Sequence, residues 1–279
     1  MTLRQLVAFA AMSFATASTA LAFDLPPPVD APEYTGTIAE SEGWYIRGDL
    51  GYNGDYKIDK PKVRTFLPVT SDYSSTRFDK ARMDDGEYSL NAGIGYQFND
   101  WLRADTTIDY FTGKLRGKSV EGGPCIGQAA GTRCGTRYDQ HLASLGLMAN
   151  AYVDLGTYWG LTPYVGAGAG ATNVDWGTLK HNKYCVGGRN ACNPLVRYPD
   201  LRNPGEESWR LTYAFMAGLA YDIAPSMKLD FGYRYSHVNG GDMAGWTQLE
   251  RRSGAKGVKS TDNGFSRHEF RAGLRVTNW

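Results

Sequence analysis

The chain has no long hydrophobic run beyond its N-terminal stretch, although 42% of its 279 residues are hydrophobic. A transmembrane helix needs about 18 or more apolar residues in a row. The helical class of membrane proteins is therefore excluded, whereas β-barrels are not, since alternating strands hardly raise the local hydropathy. Neither charge is in excess, with 30 Lys and Arg against 29 Asp and Glu, which argues against nucleic acid as a partner. No Gly-x-y period accompanies the 34 glycines, so collagen-like order is also excluded.

The abundant residue types point to a folded chain. Besides 34 Gly, the sequence contains 18 Tyr and 7 Trp, and only 21% of its residues are charged. A disordered chain has few aromatic residues and a higher net charge. We therefore expect a folded protein.

The N-terminus has the features of a secretory signal peptide over residues 1–22. An arginine precedes an apolar stretch, and Ala20 and Ala22 form a small-x-small cleavage site. The alternative, a membrane-anchoring helix, is disfavoured because the stretch is too short to span a bilayer. Residues 23–42 include a run of three prolines. We expect a Pro-rich leader there, followed by a folded domain over residues 43–279.

From residue 43 onward the dominant pattern is alternation of apolar and polar residues with a period of two. In the first segment Trp44, Ile46 and Leu50 alternate with Arg47 and Asp49. These segments match the length of about 9 to 11 residues that a tilted transmembrane strand requires. Eight of them lie at residues 44–52, 87–98, 102–110, 143–153, 162–174, 209–222, 227–236 and 267–276. In the fifth, glycines recur with one parity, which leaves room for bulky groups inside a narrow barrel.

The connections between these segments alternate between short and long. The short ones lie at residues 99–100, 154–161 and 224–226, and the long ones at 53–86, 113–137, 175–208 and 239–264. This pattern predicts an all-β fold over residues 43–279, an eight-stranded antiparallel up-and-down transmembrane β-barrel of the outer membrane with four long outer loops and three short periplasmic turns. The leader at residues 23–42 would then be periplasmic. A secreted β-sandwich or a lipocalin-like barrel also alternates, but it would not concentrate aromatic residues at the strand ends.

On this register a set of charged residues points into the barrel. Eight are positive and seven are negative: Arg47, Asp49, Glu87, Arg103, Asp105, Asp109, Arg210, Asp222, Lys228, Asp230, Arg234, Arg267, Glu269, Arg271 and Arg275. Charges in a narrow lumen are tolerated when they are paired and hydrogen-bonded. Eight strands leave an interior just wide enough for side chains. We therefore expect a paired network that fills the barrel, and the alternative is a gated ion path.

Four cysteines fall as two close pairs, Cys125 with Cys134 and Cys185 with Cys192, each within an expected outer loop. In an exported protein such pairs predict local disulfides. Zinc is the alternative, but neither pair has the C-x-x-C spacing, and His181 is the only histidine near one of them. We expect no metal and no cofactor.

Five short motifs carry a resemblance to a known family. They lie at residues 43–48 (GWYIRG), 93–98 (GIGYQF), 162–168 (TPYVGAG), 229–235 (LDFGYRY) and 268–275 (HEFRAGLR). With them the chain resembles the small outer-membrane β-barrels of Gram-negative bacteria, the OmpA-like and OmpX-like porin superfamily, and in particular the surface-antigen barrels of alphaproteobacteria. The resemblance implies an outer-membrane location, contact with membrane lipid and lipopolysaccharide, and assembly by the barrel-assembly machinery through the C-terminal strand. Such proteins usually end in an aromatic residue, and Trp279 is terminal here, although Leu274 and Val276 are out of phase with it.

Of the four histidines, His237 has the most polar neighbourhood. It resembles the His-x-Ser-Asn neighbourhood of outer-membrane lipid A deacylases, but Asn239 stands where the nucleophilic serine would be. Ser236 precedes the histidine and, on a strand, points to the opposite face. We therefore expect no catalytic residue, and a hydrogen-bonding role for His237 at the membrane interface.

The sequence thus predicts a structural and surface-interaction barrel whose outer loops contact an unidentified extracellular ligand, and not an enzyme. The alternatives are a narrow ion-conducting porin and a lipid A modifying enzyme. Within the expected loop at 113–137, five basic residues stand against one acidic residue, Glu121. Anionic lipopolysaccharide and host polyanions are therefore partners that fit by charge.

Overall fold

The computed structural model describes residues 42–84, 88–188 and 191–277, except for the side chains of residues 55–57 and 84. Within these ranges the chain forms thirteen β-strands and one short α-helix. They are β1 (Gly43–Ile58), β2 (Lys62–Leu67), β3 (Asp72–Arg77), β4 (Lys80–Asp84), β5 (Tyr88–Gln97), β6 (Leu102–Glu121), β7 (Arg133–Asp154), β8 (Leu161–Trp176), β9 (Leu179–Val186), β10 (Leu201–Asn203), β11 (Glu207–Ala224), β12 (Met227–Ala244), α1 (Gln248–Arg252) and β13 (Ser260–Thr277). The predicted signal peptide with Ala20 and Ala22 lies outside the described residues, and so do Glu87 and Trp279.

Eight of these strands close into a ring. Each pairs with two antiparallel neighbours, in the order β1, β5, β6, β7, β8, β11, β12, β13 and back to β1. The β5–β6, β7–β8 and β11–β12 connections are short and lie at the end of the ring where β1 begins and β13 ends. The predicted all-β, antiparallel up-and-down barrel is confirmed. Among the described residues no helix is long and apolar enough to cross a bilayer.

The two faces of the barrel wall differ in polarity, as the period of two requires. On β1, Leu50 is 63% exposed, whereas Arg47 and Asp49 are 6% and 4% exposed. On β12 the contrast is the same, since Phe231 is 51% exposed and Arg234 is buried. The outward residues therefore form an apolar band that suits a lipid bilayer, and the inward residues are polar.

Aromatic side chains lie at both edges of the apolar band. The rings of Trp44 and Tyr96 are 5.3 Å apart at the short-turn end, and those of Tyr52 and Tyr88 are 5.9 Å apart at the opposite end. Aromatic girdles of this kind mark the membrane–water interfaces of outer-membrane barrels. The Tyr52–Tyr88 pair therefore marks the outer edge of the membrane-spanning part.

The glycines of β8 face the barrel interior. A Cβ atom built on Gly166 would lie 2.5 Å from the ring of Tyr152 on the neighbouring strand β7. At Gly168 the space is taken by the side chain of Asn150. The bulky side chains of β7 therefore fit inside the barrel because β8 has none at these positions.

The prediction of a loop at residues 113–137 is largely wrong. β6 and β7 are 20 and 22 residues long and continue well past the membrane edge. The alternation also continues there, but its polarity inverts. Below the edge of the band the inward residues are charged, as at Asp109, whereas above it Phe111 and Leu115 are buried inside and Lys114 and Arg116 face outward. An apolar outward face ends where the lipid ends, so the sequence pattern for a transmembrane strand stops although the strand does not.

The other long connections are also built into β-structure rather than open loops. β2 and β3 form a hairpin that pairs with β13, and β4 pairs with the outer half of β6. β9 pairs with the outer half of β7, and β10 pairs with β9. α1 begins with a capping box in which Thr247 and Glu250 bond each other's backbone. The barrel wall thus continues into a folded extracellular part.

Candidate functional site

The barrel interior holds buried ion pairs, arranged in layers along its axis. In the middle layer Arg47 donates to Asp49 at 2.8 Å and to Asp105 at 3.2 Å. The same guanidinium donates to the Tyr152 hydroxyl at 3.2 Å, and Asn150 donates to Asp105 at 2.7 Å. These residues come from β1, β6 and β7 and are all buried. Inward parity on three strands is therefore what brings them together.

The next layer outward is centred on two carboxylates. Arg234 binds Asp109 through two bonds of 2.6 and 3.0 Å, a bidentate geometry. Arg271 donates to Asp109 at 3.1 Å and to Glu269 at 2.6 Å, and Arg267 also pairs with Glu269. Three arginines thus share two carboxylates in this layer of the described structure, and Asp109 connects β6 with β12 and β13.

The layer at the short-turn end combines ion pairs with aromatic rings. Arg103 donates to Asp154 at 3.1 Å, and its guanidinium lies 4.0 Å from the centroid of the Tyr152 ring. Arg275 lies 3.5 Å from Asp230. The rings shield these charges and also attract the guanidinium through their negative faces.

Most of the charged residues that the sequence places in the lumen lie in these layers. The buried ones are Arg47, Asp49, Arg103, Asp105, Asp109, Arg210, Asp230, Arg234, Arg267, Glu269, Arg271 and Arg275. Lys228 and Asp222 differ, because they pair at 3.2 Å at the short-turn end with 22% of each side chain exposed. The partner of Arg234 is Asp109, whereas Asp230 pairs with Arg275.

One lumen carboxylate was not predicted from the sequence. Asp262 binds Arg210 through two bonds of 2.8 and 2.9 Å and is buried. It falls within an expected outer loop, and it has the opposite parity to Arg267 and Glu269 on the same strand. Gly264, with a φ of 106°, lies between them, and the alternation of buried residues changes phase at that point.

Above the ion pairs the interior becomes apolar. A buried cluster, here called the apolar cluster, consists of Val63, Phe78, Met83, Phe111, Leu115, Tyr138, Leu142, Val174, Trp176, Leu179, Val238, Met243, Ala244 and Phe265. The rings of Phe111 and Phe265 are 6.0 Å apart, and the Arg267 guanidinium lies 3.8 Å from the centroid of Phe111. The charged layers and the apolar cluster are therefore in direct contact.

A polar network ties the extracellular elements together. His181 and Asn203 are 3.0 Å apart, Asn203 donates to Glu250 at 2.9 Å, and Lys259 donates to the same carboxylate at 2.5 Å. Burial lowers the pKa of His181. Burial raises the pKa of Glu250, but the hydrogen bonds from Lys259 and Thr247 outweigh it and hold that pKa below its ordinary value. The network joins β9, β10 and α1 to Lys259, the residue that precedes β13.

Two disulfides lie in the same extracellular part, between Cys125 and Cys134 and between Cys185 and Cys192. Cys134 and Cys185 are also register partners in the β7–β9 pair, so both bridges lie against one strand pair. Across residues 42–84, 88–188 and 191–277, no group of three or more His, Cys, Asp or Glu side chains is placed to hold a metal ion.

The outer edge of the lipid-facing surface carries a serine next to a histidine. His237 Nδ1 lies 2.9 Å from the Oγ of Ser266, and the Tyr235 hydroxyl lies 3.1 Å from the same Oγ. His237 and Ser266 are direct partners in the β12–β13 register. Ser266 is 29 residues from His237 in the chain, and it could not be predicted as a neighbour because only the strand register brings it near.

These features together define a transmembrane β-barrel with a charged interior, an apolar outward band and a folded extracellular part. The chain belongs to the outer membrane protein beta-barrel domain family, whose model matches residues 7–276. It is thus a protein of the outer membrane of a Gram-negative bacterium, and its outward band contacts membrane lipid.

Related sequences come from Brucella. An uncharacterized protein of Brucella suis biovar 1 (strain 1330) is 36% identical over 252 residues, which cover 84% of this chain and 84% of that protein. An uncharacterized protein of Brucella abortus (strain 2308) is 35% identical with the same coverage. Among solved structures, Neisserial surface protein A aligns with a TM-score of 0.41 and 19% identity, over 85% of this chain and 97% of that one.

Proposed function

We propose that this protein is a closed outer-membrane barrel with a structural and surface-interaction role, and that it is not an enzyme. The observation that carries the proposal is the order of side chains along the interior. Paired charges fill the membrane-spanning layers, and the apolar cluster lies directly above them. The two parts come from the same strands, so one wall holds both.

The proposed closure follows from the cost of moving an ion through such an interior. In the charged layers, an ion has to compete with arginine–carboxylate pairs at 2.6 to 3.2 Å. The apolar cluster consists mostly of aliphatic and aromatic side chains, which offer few polar atoms to replace the hydration shell of an ion, and an unpaired charge in an apolar environment is strongly disfavoured. Both parts act in series, so opening one of them does not open the barrel.

The proposed partners follow from the exposed surfaces. Membrane lipid and lipopolysaccharide surround the outward band, and we propose that the barrel-assembly machinery inserts the chain through its C-terminal strand, β13. The extracellular elements β2, β3, β9, β10 and α1 present the surface to a ligand outside the cell. Carrying them on a rigid barrel keeps this surface fixed relative to the membrane.

Conductance in planar bilayers tests the proposal. We expect the purified wild-type barrel to show no steady open-channel current. A variant in which Phe111 and Phe265 are both replaced by alanine thins the apolar cluster, and we expect it to show no steady current either, because the ion pairs below remain. Leu249→Ala, on the exposed surface of α1, is the control. Steady wild-type conductance would contradict closure and favour the narrow-porin alternative.

A second candidate function, lipid A modification, is favoured by the hydrogen bond between His237 and Ser266. A histidine beside a serine can act as a base that activates the hydroxyl for attack on an ester, and the pair lies at the lipid-facing outer edge. No carboxylate is hydrogen-bonded to His237 within the described residues. Mass spectrometry of lipid A from cells with the wild type and with Ser266→Ala tests this function. Identical acylation patterns would support the non-enzymatic role. An additional acyl chain on lipid A from the Ser266→Ala cells would show instead that the wild type removes an acyl chain.

A further inference from the structure

The outer wall of the extracellular part carries a dense set of positive charges. Six outward basic side chains on β4, β6 and β7 are here called the basic face: Lys80, Arg82, Lys114, Arg116, Lys118 and Arg137. Among them lies one described carboxylate, Asp139, which is 3.3 Å from Lys114 and 4.0 Å from Arg116. No described carboxylate lies within ion-pair distance of Lys80, Lys118 or Arg137, so this part of the basic face keeps its positive charge, although the chain as a whole is almost neutral.

The strand register concentrates these charges. Lys118 of β6 stands directly opposite Lys80 of β4 on one side and Arg137 of β7 on the other. Neighbouring strands are about 4.8 Å apart, so three cations lie within about 10 Å in a single row. Like charges directly opposite each other destabilise a sheet. This arrangement therefore favours a bound anion with several negative groups.

The basic face also borders a groove. A groove of about 680 Å³ is lined by Lys60, Lys80, Arg82, Arg116 and Lys118. Asp79 lies there too, and its carboxylate accepts a hydrogen bond from the backbone of Val120 at 2.7 Å. A concave surface brings several cations around one anionic group, and arginine and lysine are the usual binders of phosphate.

The height of the basic face above the membrane indicates which anion it meets. On β6, Lys114 follows Tyr110 by four residues and Lys118 by eight, and Tyr110 lies next to the outer aromatic edge. With a rise of about 3.4 Å per residue and a tilt of about 40°, the basic face stands about 10 to 20 Å above that edge. The phosphate-bearing sugars of lipopolysaccharide lie directly above its acyl chains, at this height.

We propose that the basic face binds the phosphate groups of outer-leaflet lipopolysaccharide. The lower cations meet phosphates close to the acyl chains, and the groove with the row of Lys80, Lys118 and Arg137 meets those on the sugars above. The inference rests on the proposed function in that the barrel must stand in the outer leaflet, but it does not depend on whether the lumen is closed.

A binding measurement with matched charge variants tests the proposal. The test variant is Lys118→Gln with Arg137→Gln, which leaves out Arg82 because Asp84, Asp85 and Glu87 follow it in the sequence. The control variant, Arg252→Gln with Lys256→Gln, removes the same charge from another extracellular surface. Binding of purified rough lipopolysaccharide to the full barrel in detergent is measured at fixed salt, because salt screens such contacts. Slower migration of the heated than of the unheated protein on a gel establishes that each variant is folded.

We expect the test variant to bind lipopolysaccharide at least about tenfold more weakly than the wild type, and the control less than about threefold more weakly. Dephosphorylated lipopolysaccharide should bind all three proteins equally weakly. Equal losses in both variants, or none in the test variant, would overturn the proposal. Stronger binding of heparin than of lipopolysaccharide, with loss in the test variant, would assign the basic face to a soluble polyanion instead. Bilayer conductance is recorded in parallel, since a conducting wild type contradicts the closed lumen and leaves this inference standing.

Discussion

Replacing Arg234 with alanine is the sharpest test of the ion pairs in the lumen. The guanidinium binds both oxygens of Asp109, at 2.6 and 3.0 Å, and only 2% of the arginine is exposed. The substitution leaves the carboxylate buried with Arg271 as its remaining cationic partner, at 3.1 Å. We expect a marked loss of stability, since a buried charge without its full set of partners is costly.

The size of the stability loss depends on the partner that Asp109 retains. Removing one partner of a buried ion pair costs about 3 to 5 kcal/mol. Because Arg271 still reaches Asp109, we expect the lower end of this range, about 3 kcal/mol. Replacing both residues by apolar ones, Arg234→Met with Asp109→Leu, removes the orphaned charge. The double variant should therefore lose less than the sum of its two single variants.

Urea unfolding of the barrel in lipid vesicles measures these losses. Arg251→Ala is the matched control, because Arg251 pairs with Glu206 at 3.8 Å on the surface, with 57% and 33% of the two side chains exposed. An exposed pair of this kind contributes about 0 to 1 kcal/mol. Equal unfolding midpoints for Arg234→Ala and the wild type, or strict additivity in the double variant, would refute the reasoning.

Three further outcomes are expected. Leu90→Arg, on the lipid-facing side, should hinder membrane insertion by about 2 to 4 kcal/mol, whereas Leu249→Arg on α1 should insert like the wild type; equal membrane fractions for both would contradict the register. The pKa of His181 lies below its ordinary value of 6.5 in the folded extracellular part. When this part unfolds, the histidine binds a proton more tightly, so the stability of the extracellular part should fall as the pH drops below 6.5. The protection factors for hydrogen exchange in β9 and β10, which correct for the base-catalysed intrinsic rate, should be lower at about pH 5.5 than at about pH 7.5, and this difference should be smaller in His181→Gln; pH-independent protection factors would argue against this assignment. Peptide mapping without reduction should recover the two disulfides Cys125–Cys134 and Cys185–Cys192, and a crossed pairing would contradict these two local bonds.

The membrane-spanning part could be predicted from the sequence because its physical constraint is strict and local. Lipid on one side and a packed polar interior on the other force an alternation that a single residue slip would reverse. The outward face is thus indicated by Trp44, Leu50 and Phe231, and the inward face is indicated by Arg47 and Asp49. The short turns, and with them the order of the strands, follow from the same pattern.

The partners of the charged residues were decided by the tertiary structure. Parity places Asp109 and Arg234 in the lumen, but they are 125 residues apart in the chain, and only the closure of the ring brings β6 opposite β12. For the same reason Asp230, four residues from Arg234, pairs with Arg275 instead. The contact between His237 and Ser266 was also decided by the tertiary structure, since only the β12–β13 register brings the two residues together.

The structure of the extracellular part was the least predictable from the sequence. Where the lipid ends, nothing requires an apolar outward face, so the alternation of β6 inverts between Asp109 and Lys114 and no longer resembles a transmembrane strand. The segments that build the apolar cluster are short and distant in sequence, from Val63 to Phe265, and each buries its apolar side only against the others. The sequence therefore determined the barrel, because each strand meets the bilayer by itself, whereas the cluster above the charged lumen and the basic face outside it exist only once the strands are assembled.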